Sequence, residues 1–180
     1  MQKETKKVLY SQIIKIIIMR KISSILFLML FAFISCTETH DNVVISKNFT
    51  NHEWGRFEYL KGSLDIKKAP QEYDIIMKIV VDDIYPNPYE AHQTECFLPF
   101  NLTIKNPDDN GKRSKDYRFM LKDKDGNWKA EEKNGLYTFK LPVIEEMTFS
   151  EKGTYNFVIE NKYSKDPLYG IKSMTLKCIK

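Results

Sequence analysis

Alternation of apolar and polar residues with a period of two runs through most of this chain, and it leaves room for little except β-sheet. Tyr73, Ile75, Met77, Ile79 and Val81 share one face of a segment whose other face carries Ile76 and Val80, the mark of a central strand. Tyr117, Phe119 and Leu121 alternate with Arg118 and Lys122. Tyr137, Phe139 and Leu141 alternate with Thr138 and Lys140, and Tyr155, Phe157 and Ile159 with Asn156 and Glu160. Each of these segments therefore has a dry side and a wet side, and their aromatic and β-branched residues suit a pleated surface. Turn residues separate them: Asn87-Pro88, Asn106-Pro107, Asn110-Gly111, Asp125-Gly126, Asn134-Gly135 and Lys152-Gly153. Outside an N-terminal apolar run, no window of about ten residues shows a helical stripe. The expected fold is all-β: one antiparallel β-sandwich, jelly-roll-like, in a single domain.

The N-terminal run belongs to a different kind of segment. Met19-Arg20-Lys21 is basic, Ile22 to Ile34 is apolar, and Ser35-Cys36 follows. A charged start, an apolar middle and a small residue directly before a cysteine make a lipoprotein signal peptide over residues 19–35, with Cys36 as the acylated residue. The apolar run falls short of the roughly 20 residues a membrane-spanning helix needs. Residues 1–18 precede a complete signal peptide and are read as a mis-called translation start. Residues 36–47, beginning Thr37-Glu38-Thr39-His40-Asp41-Asn42, are read as a lipid-anchored tether, and residues 48–180 as the sandwich.

Removing the leader changes the charge argument. Of 28 basic and 24 acidic residues, residues 1–35 hold six and one, which leaves 22 against 23 and a net charge of −1. The basic excess thus lies in the discarded part, and nucleic acid is excluded as a partner. Two cysteines remain, Cys96 and Cys178, each in step with the apolar positions of its strand, so both thiols face inward. Two reduced thiols buried as small hydrophobes is the preferred reading, and a disulfide between them, which an export compartment permits, is the alternative.

Candidate chemistry is sparse. The histidines are scattered at His40, His52 and His92, with no Gly-x-Ser-x-Gly, no His-Glu-x-x-His and no phosphate-cradling glycine loop. The acid pairs Asp82-Asp83, Glu131-Glu132 and Glu145-Glu146 put neighbours on opposite faces of a strand, so the two members of a pair cannot be the acid and nucleophile of one glycosidase site, and solvated edges explain them. Asp123-Lys124-Asp125-Gly126-Asn127 opens like a calcium loop but lacks its third spaced oxygen and closing glutamate, so a hairpin turn is expected. No catalytic residue, metal or cofactor is assigned. Exposed aromatics are the remaining resource: Trp128, Tyr85 and Tyr89, with Trp54 behind them, are the candidates for stacking on a sugar.

The order of several short motifs resembles the gliding motility lipoprotein GldH family. They are Tyr73-Asp74-Ile75, Tyr85-Pro86 with Tyr89, Leu98-Pro99-Phe100-Asn101-Leu102, and Leu121-Lys122-Asp123 with Gly126-Asn127-Trp128. Gly153-Thr154-Tyr155-Asn156-Phe157-Val158-Ile159-Glu160 and Leu168-Tyr169-Gly170-Ile171 complete the set. Lys129-Ala130-Glu131-Glu132 replaces a glycine-rich continuation and marks a divergent member. The resemblance implies a non-enzymatic lipoprotein of the cell envelope, expected at the outer membrane, held by acylated Cys36 and meeting other envelope proteins of a motility or secretion machine. A carbohydrate-binding surface lipoprotein is the alternative, with a glycan as partner.

Overall fold

The computed structural model describes residues 41–89, 96–109 and 111–180. The leader, Cys36, His40 and His92 lie outside the described residues. Within them the chain is all β-strand and turn. In order the strands are β1 (Asn42–Asn48), β2 (Glu53–Trp54), β3 (Leu60–Ile66), β4 (Gln71–Asp82), β5 (Phe97–Lys105) and β6 (Lys112–Met120). They continue with β7 (Glu132–Lys133), β8 (Leu136–Phe149), β9 (Gly153–Asn161), β10 (Leu168–Tyr169) and β11 (Ile171–Ile179). One sheet has the order β1-β11-β4-β8-β7 and the other β3-β9-β5-β6, with β10-β2 forming a small third ladder, and every pairing is antiparallel.

Setting aside the two-residue strands and numbering the long ones in chain order, the two sheets read 1-8-3-6 and 2-7-4-5. That is the order of a jelly roll, in which a long antiparallel ribbon wraps so that successive strands alternate between sheets except at the hairpin of the fourth and fifth. The sandwich expected from the period-two pattern is therefore present.

The alternation explains how the sheets close. Tyr73, Ile75, Met77, Ile79 and Val81 of β4 are buried, as are Leu98, Phe100, Leu102 and Ile104 of β5 and Tyr155, Phe157 and Ile159 of β9. Burying such side chains stabilises the fold by about 1.5–3 kcal/mol each before chain entropy is counted. At one corner the sheets come very close: an added Cβ on Gly62 of β3 would run into the Val44 carbonyl of β1. Only glycine permits that approach.

One boundary needs correction. Residues 42–47, assigned to the tether, belong to β1, where Asn42 pairs with Cys178 and Asn48 with Ser173. The strand was missed because Val43, Val44 and Ile45 are consecutive rather than alternating, and a register shift between Val43 and Ile45 absorbs the irregularity.

The strands end at two unlike poles. At one, the connections are short: residues 67–70, 106–111 and 150–152. At the other, residues 49–59, 83–89, 96, 121–131 and 162–170 gather. β1 enters at the short-turn pole and runs toward the long-loop pole.

Candidate functional site

The long-loop pole is held by side chains that bond to backbone of other loops. Asn161, at the end of β9, is 3 % exposed; its amide donates to the Trp54 carbonyl at 2.8 Å and its oxygen accepts from the Tyr163 amide at 2.8 Å. Asn87 donates to the Tyr163 hydroxyl at 3.1 Å and accepts from the Tyr89 amide at 2.8 Å. The Arg56 guanidinium donates to the carbonyls of Tyr163 and Ser164, while its backbone amide donates to Asp166 at 2.8 Å. Loops whose buried polar groups are satisfied this way keep one shape, which suits a surface meant to be recognised.

Gly170 sets the geometry where the loops meet the sheet. Its φ is +73°, and an added Cβ would lie 2.6 Å from Asp82 Oδ1 and 2.6 Å from the Tyr85 amide nitrogen. A side chain there is strained by both backbone and space. The carbonyl of Gly170 accepts from the Asp82 amide at 2.9 Å, tying the end of β4 to the start of β11. Around the same point, Asp82 lies 3.5 Å from the His52 ring and 3.6 Å from Lys172 Nζ, and Lys172 Nζ rests against the imidazole. Burial raises the Asp82 carboxyl above its ordinary value, opposed by the Ile84 amide. This trio joins the loop after β1, the end of β4 and the start of β11.

The aromatics picked from sequence do not form one platform. Tyr85 is fully buried; its hydroxyl donates to the Phe97 carbonyl at 2.9 Å, and burial holds its ionisation well above the ordinary phenol range. Its assignment as a ligand-facing ring is therefore corrected: a Tyr-Pro pair in a loop gave no sign that the loop folds back over the core. Trp54 is likewise buried. Trp128 is half-buried, stacked on Tyr137 at 4.6 Å, with Tyr85 at 6.5 Å and Lys122 Nζ 4.6 Å over its ring. Tyr89 alone of the named rings stands open, at 94 % exposure.

Two exposed rings went unnoticed in the sequence. Phe57 is 78 % and Tyr59 46 % exposed, and both border an open groove of about 540 Å³ shared with Arg56, Glu160, Lys162 and Tyr163. A signal for them existed. Leu60, Leu64 and Ile66 set the buried face of β3 at even positions, which leaves the odd-numbered Phe57 and Tyr59 out of step with it.

Cys96 and Cys178 are free and buried, so the disulfide alternative is not realised in this structure. Burial pushes both thiols up to about 12. The segment from Asp123 to Asn127 closes as a turn, with Asp123 Oδ1 accepting from the amides of Asp125 and Asn127 at 2.9 Å each. The Asn127 amide is the main cause holding the Asp123 carboxyl below its ordinary value. Among the described residues no three His, Cys, Asp or Glu side chains cluster as metal ligands.

Comparison with known proteins bears on this arrangement. The family model described as GldH lipoprotein matches residues 43–177, from the second residue of β1 to within β11. No curated protein matches the chain. Among solved structures, one similar chain is a family 35 carbohydrate-binding module from an environmental isolate. It is 14 % identical at a TM-score of 0.33, covering 79 % of this chain and 88 % of that one.

Proposed function

The chain belongs to the GldH lipoprotein family, and from that membership we propose that it is a non-catalytic adaptor or assembly factor of an envelope motility or secretion machine, anchored by acylated Cys36 in the outer membrane. The observation that carries this reading is the direction of β1. Asn42 stands at the short-turn pole, six residues after Cys36. Six residues reach at most roughly 20 Å. An anchor at Cys36 would limit the distance of the start of β1 from the lipid to about that reach, and Phe57, Tyr59 and Tyr89 lie at the opposite pole of the sandwich. Hydrogen-bonded loops and exposed rings, with no catalytic group assembled among the described residues, suit recognition of a protein better than turnover of a substrate.

The test is crosslinking of the full-length protein in its own membranes, followed by pull-down and mass spectrometry, with Cys36→Ser as control. Recovery of motility or secretion components that falls when the anchor is removed is the expected result. Recovery of polysaccharide or sugar importers in their place would transfer the case to the carbohydrate-binding reading. That reading is weaker because Tyr85 is buried and Trp128 is covered on one face by Tyr137.

A further inference from the structure

We propose that the outer edge of β6 binds an acidic, extended segment of a partner protein as an added antiparallel or parallel strand. The proposal deepens the adaptor reading by naming a second contact surface, away from the long-loop pole, and rests on it only in supposing a protein partner.

Among the described residues no strand pairs with the far side of β6, which lies at the end of its sheet. Its backbone groups can be assigned. The Leu121 amide donates to the Cys96 carbonyl at 2.8 Å, and the register places Phe119, Tyr117, Lys115 and Arg113 at successive two-residue steps from that bond. In an antiparallel ladder the bonded pairs alternate, so these odd residues bond to β5 while the amides and carbonyls of Ser114, Asp116 and Arg118 face outward. The other side of β5 agrees: the Lys162 amide donates to the Pro99 carbonyl, so odd residues of β5 serve β9.

Sheet edges are usually blunted by proline, bulges or irregularity. β8, the long strand near the margin of the opposite sheet, shows this: β7 covers only Leu136 and Tyr137, and Pro142, register shifts and a φ of +52° at Glu146 interrupt the rest. β6 keeps unbroken register with β5 over all nine residues and contains no proline. Its side chains also leave something to cover. Phe100, Tyr117 and Phe119 stack in a row with Tyr117 and Phe119 only half-buried, and Met120 is exposed.

Charge selects the occupant. Lys112, Arg113, Lys115 and Arg118 are exposed on this strand against one acid, Asp116, in a domain whose mature net charge is −1. None of the four forms an ion pair among the described residues. A second copy would lay cation against cation and is repelled; an acidic strand is attracted, and its backbone completes the ladder.

The experiment uses the full chain in neutral nanodiscs with a fluorescent nonapeptide of alternating Glu and Val, its Lys-Val counterpart, and the Glu-Val peptide N-methylated at alternate residues. Saturable binding of the Glu-Val peptide alone is expected, with slowed hydrogen exchange at Ser114, Asp116 and Arg118. N-methylation should weaken it about tenfold or more, since it removes the ladder and keeps the charge. Asp116→Pro removes an outward amide and an acid together, so weaker binding in this variant marks strand addition and stronger binding overturns it. Equal binding of the N-methylated peptide, or no binding, overturns the proposal as well. So does displacement of the Glu-Val peptide by phosphatidylglycerol vesicles that protect the same amides, which would assign the cationic edge to anionic lipid. None of these results alters the pull-down outcome, so the two readings fail separately.

Discussion

At the short-turn pole, Phe149 is packed edge-on between Tyr73 and Tyr155 at 5.8 and 4.7 Å, and the chain turns in a few residues. At the long-loop pole, Asn87, Asn161 and the Arg56 guanidinium do the corresponding work by hydrogen bonding. The first is held by apolar contact, which tolerates some rearrangement; the second by directional bonds, which do not. A loop surface can therefore be large and irregular and still fixed, provided its polar groups are satisfied.

The contrast is broken most severely at Gly170. Gly170→Ala is expected to lower the unfolding free energy by roughly 3 kcal/mol in urea titrations, from left-handed backbone strain together with the clash against Asp82 and Tyr85. A loss under about 1 kcal/mol would mean that the loops yield easily. Asn161→Ala leaves the Trp54 carbonyl and the Tyr163 amide without their partner, at a cost of about 2 kcal/mol.

A subtler comparison uses the two thiols, since Cys96 precedes β5 at the long-loop pole and Cys178 ends β11 at the other. Both are raised from 9.0 to about 12 by burial. The unfolded chain then loses these protons first, so stability is fully present below pH 9 and declines as pH rises from about 9 toward 12. Cys96→Ala and Cys178→Ala should each reduce that slope; a slope unchanged by one of them would show that its pole opens to solvent. The smallest effect belongs to Phe57→Ser, which should change stability by less than about 0.5 kcal/mol while reducing partner recovery in pull-downs.

The sequence revealed what periodicity controls and missed what folding back controls. The inward faces of β4, β5, β9 and β11 were legible because burial alternates with the backbone, and both cysteines were placed on the buried side for the same reason. Asn134 and Gly135, with φ of +56° and +71°, form the hairpin turn between β7 and β8 as that pair suggests. Loop aromatics carried no such label. Tyr85 and Tyr89 sit four residues apart, yet one is sealed beneath the pole and the other open, a difference set by long-range contacts such as that of Pro86 with Tyr169.

The course of β1 has a mechanical consequence. A pull between an anchor before Asn42 and a partner seated at the opposite pole acts along the strands, while the ladder bonds joining β1 to β11 run across them. Such a load is shared by many bonds in shear instead of opening them one after another, so the domain would carry tension as a tie.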